Sequence, residues 1–152
     1  MATSKYKFYM AECDAEWKIK SNTQKDLETD FEGLRYAKCE GIDTVGKARV
    51  YTETYADSDT LRVYMPTPIT NEATKVTFTF YFFGENRRET YHSFVDFARG
   101  GKRAYWDSAR KRKFYFVVTD EIKPATEMWY GSNPYLELRL TVQNIKGYTE
   151  NI

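Results

Sequence analysis

A single histidine, two cysteines and four prolines among 152 residues leave little material for the commonest catalytic and metal centres. A hydrolytic triad needs a base, and the one histidine, His92, lies in a stretch with helical spacing. Asp96 falls on its side of such a helix, whereas the adjacent Ser93 points elsewhere, so His92 reads as an exposed or capping residue. No second His or Cys stands near it at ligand spacing, so neither a catalytic residue nor a metal or cofactor is expected, and the chain reads as no enzyme. Cys13 and Cys39 form no CxxC and have no companion His, which predicts two reduced thiols in an intracellular protein. Also missing is any apolar run near the roughly 20 residues of a membrane span. With a mean hydropathy of -0.70 and 30% charged residues, a soluble chain with no membrane partner is expected. The first residues, M-A-T-S-K-Y-K-F-Y-M-A-E, carry lysines without an apolar signal core, so no secretion signal is inferred.

What the chain does have is aromatic residues, 17% of the total, with thirteen Tyr and ten Phe, which together with many Thr and Val favour strands. The length suits one domain over residues 1–152 with a single core. Its clearest unit runs from Val76 to Gly101. Val76, Phe78, Phe80 and Phe82 share one side of an extended chain, Thr77, Thr79, Tyr81 and Phe83 the other, and the strand reads as covered on both faces. After Gly84, Tyr91, Phe94, Val95 and Ala98 recur at helical spacing, predicting a helix over about 86–99 with one face on the sheet. Arg99 and the left-handed tolerance of Gly100-Gly101 supply its stop.

Around that unit, Tyr6, Phe8 and Met10 alternate as a first strand, and Trp17 with Ile19 marks a second. S-N-T-Q-K-D-L-E-T-D-F-E is a connection with room for one helical turn. L-R-Y-A-K-C-E gives a weak strand signal, and Gly41 and Gly46 bracket a turn. K-A-R-V-Y-T-E-T-Y and L-R-V-Y-M form a hairpin through A-D-S-D-T, ended by Pro66 and Pro68. Two strands flank a turn at Asp107 to Ala109, Pro124 interrupts, and a turn follows Trp129 and Tyr130. Leu136, Leu138, Leu140 and Val142 give the last strand the cleanest alternation. The expected fold is mainly β (α+β): an antiparallel β-sandwich or partly closed barrel of nine or ten strands with one flanking helix.

Acidic pairs such as Glu28 with Asp30 and Asp57 with Asp59 sit in polar turns, where solvated loops explain them. Gly100-Gly101-Lys102 lacks the upstream glycine of a phosphate loop and follows a helix instead of preceding one. Charge is the stronger signal. Residues 1–60 hold twelve acids and nine bases, whereas residues 99–113 hold seven bases and one acid. Arg99, Lys102, Arg103, Tyr105, Trp106, Arg110, Lys111, Arg112 and Lys113 are therefore the candidate interface or binding residues. They allow a subunit contact with an acidic edge of a second copy. They also allow a single-stranded nucleic-acid platform, with cations on phosphates and rings on bases. A sugar-binding sandwich using Trp106, Trp129 or Tyr130 is a third reading.

The order of motifs resembles a known group. An acidic D-L-E-T-D-F-E-G-L, the hairpin V-Y-T-E-T-Y-A-D-S-D-T-L-R-V-Y-M-P and the strand V-T-F-T-F-Y-F-F-G are followed by a helix ending F-V-D-F-A-R-G-G. K-R-A-Y-W-D-S-A-R-K-R-K-F and a final T-V-Q-N close the series. Over roughly residues 25–145 this resembles small tail proteins of bacteriophages and prophages from gut Bacteroides-like hosts, and more distantly the tail tube and distal tail protein superfamily. The resemblance implies a structural, non-enzymatic virion component, made in the bacterial host cytoplasm, that forms homo-oligomeric rings, commonly hexamers, with other tail proteins as partners. It implies that 85–99 is the flanking helix and that 103–118 lies near a subunit boundary. Because such channels are expected to repel DNA, it sets the basic run at an interface or on the outside.

Overall fold

The computed structural model describes residues 5–49, 51–54, 61–64 and 70–152, with side chains placed outside 50–69. Its central strand is β6 (Thr74–Phe82), bordered by β3 (Leu34–Glu40) and by the long β10 (Asn133–Asn144), all antiparallel. The β6–β10 register sets Val76, Phe78, Phe80 and Phe82 beside Val142, Leu140, Leu138 and Leu136, none more than 1% exposed. This is the period-two alternation that the sequence predicts, and it supplies half of the core.

The other half comes from β1 (Phe8–Glu12), β7 (Arg103–Asp107) and β8 (Arg112–Val117), in the order β2-β1-β7-β8-β10-β6-β3, where β2 is Lys25–Asp26. β10 turns one layer into the other. Its first residues pair with β9 (Thr126–Tyr130), and only Gln143 and Asn144 pair with β8, so the sheet folds back over itself. Phe78 then meets Tyr105 at 4.8 Å, Phe114 at 6.0 Å and Phe116 at 6.4 Å between ring centroids. No ladder joins β1 to β3. Phe8 stacks on Tyr36 at 3.9 Å there, closing the seam with rings rather than backbone bonds. The short α1 (Leu27–Asp30) fills the same end with Leu27, and Glu28 accepts a hydrogen bond from the Tyr36 amide, 3.0 Å. The result is the expected antiparallel sandwich, or partly closed barrel, with a flanking helix.

That helix, α2, spans Arg87–Ala98. Phe94 and Ala98 are fully buried, Tyr91 and Val95 pack at the margin, and the Phe94 ring meets the edges of Phe80 and Phe31 at 4.8 and 5.3 Å. The expected left-handed glycine cap is not how it stops. Arg99 closes the helix in right-handed geometry, and Gly100 is needed for space, since a Cβ there would lie 2.5 Å from the Arg103 guanidinium and 3.2 Å from the Asp96 carbonyl.

Two further expectations are corrected and one is strengthened. Trp17 and Ile19 do not form a full strand: Ile19 makes a single antiparallel bridge with Cys13, and before it the Asp14 carboxylate accepts from the amides of Glu16 and Lys18, curling the chain into a turn with Trp17 at φ 64°. The weak strand signal after Gly33 is borne out by a full strand, β3, bulged between Tyr36 and Lys38. Among the described residues no other element covers the outer side of β6: Thr79 is buried, but Thr77, Tyr81 and Phe83 are only half-buried. The predicted hairpin exists as β4 (Tyr51–Thr54) paired with β5 (Leu61–Tyr64), while its turn, the Asp57–Asp59 pair and Pro66 and Pro68 lie outside the described residues. β11 (Glu150–Asn151) pairs with β8.

Candidate functional site

Burial divides the basic stretch. Tyr105 is a core residue at 0% exposure, and Arg103 is 6% exposed. Arg103 projects inward at the end of β7, where its Nε donates to the Phe97 carbonyl at 2.8 Å and its guanidinium lies over the Phe97 ring at 4.9 Å. It thus answers a carbonyl of the last helical turn and ties α2 to the sheet. Arg110 is half-buried beside Asp107, whose fully buried carboxylate accepts from Tyr105 Oη (2.7 Å), the Arg110 amide (2.6 Å) and Arg110 Nη1 (2.9 Å). Nη1 reaches on to Tyr36 Oη at 3.2 Å, so this cluster latches the β7–β8 turn across the seam to β3. Arg112 is held by Thr149 and Asn151 near the C-terminus.

The remainder faces outward. Along the outer side of β1, β7 and β8, Trp106 stacks on Tyr9 at 5.6 Å, and Trp17 meets Tyr115 edge-on at 6.4 Å. Lysines lie over these rings: Lys102 over Trp17 at 5.0 Å, and Lys113 and Lys146 over Tyr115 at 5.5 and 4.6 Å. Lys111 is exposed in the turn, and Arg99 is exposed and paired with Asp96. Sequence reasoning missed Tyr9, Trp17, Tyr115 and Lys146, because they enter this face from three separate parts of the chain.

Burial favours the neutral form of both thiols and of two phenols. Burial pushes the Cys39 thiol up to about 11 and raises Cys13 as well. Burial likewise raises Tyr36 and Tyr105, the latter helped by Tyr36 and Asp107. His92 is exposed, and the Asp96 carboxylate beside it is engaged by Arg99 at 3.1 Å. Among the described residues no three His, Cys, Asp or Glu side chains gather to hold a metal ion. None of the described helices is long and apolar enough to cross a membrane.

The second layer has a different outer face. Tyr81, Phe83 and Tyr135 tile against one another, Tyr135 stacked on Phe83 at 5.1 Å and edge-on to Tyr81 at 5.3 Å. The β9–β10 hairpin carries this face past the body of the sheet, with Met128, Trp129 and Tyr130 exposed by 36%, 64% and 78%. A cavity of about 760 Å³ opens between these rings and the start of α2, where Glu85 and Arg87 line it.

No family model matches the chain, and neither does any curated protein. Among solved structures it is similar to SPP1 Dit, a paradigm of the hub adsorption apparatus in phages that infect Gram-positive hosts, with a TM-score of 0.53 at 16% identity. The match takes in 95% of this chain and 52% of that one, so the chain spans about half the length of the protein it matches. At this identity the likeness is one of fold alone.

Proposed function

We propose that this chain is a structural, non-enzymatic component of a bacteriophage or prophage tail, built as a single domain that assembles with copies of itself into a ring. The observation that carries the reading is the fold shared with a phage hub protein over 95% of the chain. The surface charge supports it, because a base-rich stretch and an acid-rich N-terminal half on one molecule suit a head-to-tail contact in which different patches meet. Arg99, Lys102, Trp106, Lys111 and Lys113 are the outward members of the contact, while Tyr105, Arg103, Arg110 and Arg112 hold the strands that present them. Other tail proteins and a place in the virion follow from the same reading. Sedimentation and light scattering over a concentration series test it. Mass should rise with concentration in low salt and fall back in high salt, and Lys111→Glu with Lys113→Glu should abolish the rise; a strict monomer throughout rejects the reading.

A second reading, single-stranded nucleic-acid binding, is favoured by one observation, the lysines poised over Trp17 and Tyr115 on the β1–β7–β8 face. Titration with oligothymidylate decides it. Binding should weaken with salt at a log–log slope of about -0.7 per phosphate neutralised and vanish with Lys102 and Lys113 replaced by Gln.

A further inference from the structure

The cavity between the β9–β10 hairpin and α2 is built from ring faces and unanswered hydroxyls. Tyr81, Phe83 and Tyr135 form its floor and Tyr130 its rim, with Asn133 and Glu85 at the edge. Among the described residues, no hydrogen bond within the chain engages the hydroxyls of Tyr81, Tyr130 and Tyr135, the Glu85 carboxylate or the Asn133 amide. Arg87, the one cation in the lining, is engaged through its two terminal nitrogens, Nη1 donating to the Gly84 carbonyl at 3.2 Å and Nη2 to Glu127 at 3.4 Å, while its buried Nε has no partner and is left as a donor. It braces the wall by tying the first turn of α2 to β9.

We infer that this cavity is a binding site for a neutral oligosaccharide. The CH faces of a sugar ring match the tyrosine and phenylalanine faces, and its hydroxyls both donate and accept, as do phenols and an amide, while Glu85 supplies a strong acceptor. Such a floor of rings with a few polar groups at the edge is the usual form of a ligand cavity. A nucleic acid fits poorly, since Glu85 is an unpaired carboxylate in the lining and the charge of the one cation there, Arg87, is balanced by Glu127, leaving no net positive charge for a phosphate. A proline-rich segment would stack on the rings, yet its imide nitrogens offer no N–H to Glu85.

The same face continues along the strands. Tyr135 and Glu137, like Tyr81 and Thr79, lie two residues apart and so on one side of the sheet. Beyond them a second cavity of about 770 Å³ is edged by Thr77, Met128, Glu137, Arg139 and Thr141. The ligand is therefore a chain of several sugar units lying along β10, its ring contacts at the hairpin end and its polar contacts beyond. The site consists of one copy's own side chains, so it holds whether or not copies assemble.

The whole chain is titrated with maltotetraose, cellotetraose, mannotetraose and chitotetraose, followed by tyrosine fluorescence and calorimetry. A proline decapeptide and oligothymidylate are titrated in parallel. At least one tetrasaccharide should bind with a Kd below about 1 mM. Tyr130→Ala and Tyr135→Ala should each weaken it about tenfold, as expected for loss of a stacked ring. Glu85→Gln should weaken it less, and Trp106→Ala on the opposite face should leave it unchanged. Silence from all four sugars up to about 10 mM, affinity untouched by both tyrosine substitutions, or capture of the decapeptide alone overturns the assignment. Sedimentation of the same samples reports self-association separately, so the ring reading stands or falls by itself.

Discussion

The two outer faces of the folded sheet differ in how far the chain covers them itself. On the β1–β7–β8 side the Asp14–Trp17 turn lies over Tyr115, Lys102 Nζ donates to the Ala15 carbonyl at 2.6 Å, and Cys13, Ala104 and Tyr115 form a small buried cluster. On the β6–β10–β9 side nothing among the described elements lies on Tyr81, Phe83 and Tyr135, and β9 is exposed along its whole length. Inside, both layers contribute to one core through Phe78, Tyr105 and Phe114. A shared interior with differently finished exteriors separates the work of stability from the work of contact, and each face can be altered without unmaking the other.

The largest effect should come from the interior that the faces share. Phe78→Ala, at the meeting point of both layers, should cost about 4 kcal/mol in denaturant unfolding and lower both faces together. Next is the latch beneath the basic face. Asp107→Ala leaves Tyr105 and the Arg110 guanidinium without their buried acceptor and should cost about 3 kcal/mol, and Asp107→Asn, which keeps the shape, should cost less.

The pH response sharpens the same contrast. The Cys39 thiol is held neutral by burial up to about 11, against 9.0 ordinarily, so the unfolded chain loses that proton first. Stability should therefore hold below pH 9.0 and decline between pH 9.0 and about 11. Cys39→Ala should shrink the early part of the decline, leaving there the share of Cys13, which burial also raises from 9.0, and the later part from Tyr36 and Tyr105, both raised above 10.0. Unfolding midpoints across that range check this. The smallest effect belongs to the open face: Trp129→Ala and Tyr130→Ala should shift stability by no more than about 0.5 kcal/mol, because these rings are exposed in the folded chain. A large loss from either would mean that the hairpin supports the core and is not a free arm.

Alternation along β6 and β10, the helical spacing of Phe94 and Ala98, and the turn after Trp129 and Tyr130 were all legible in the sequence. Each is a local pattern in which neighbours in the chain decide which side a residue faces. The same locality gave the strand–helix–strand order and hence the fold class. What the tertiary structure alone decided was which charges and rings reach the surface. Arg103 and Arg110 read as members of a basic run, yet one caps α2 and the other closes a seam, because partners at Phe97, Asp107 and Tyr36 are brought to them by sheet folding. Tyr105 goes inside and Trp106 outside by strand parity, a choice that depends on the register of β7 between β1 and β8. The open aromatic face was hidden for a related reason. Tyr81, Phe83, Tyr130 and Tyr135 sit in segments that each look like ordinary strand, and only the pairing of β10 with both β6 and β9 sets their rings around one cavity.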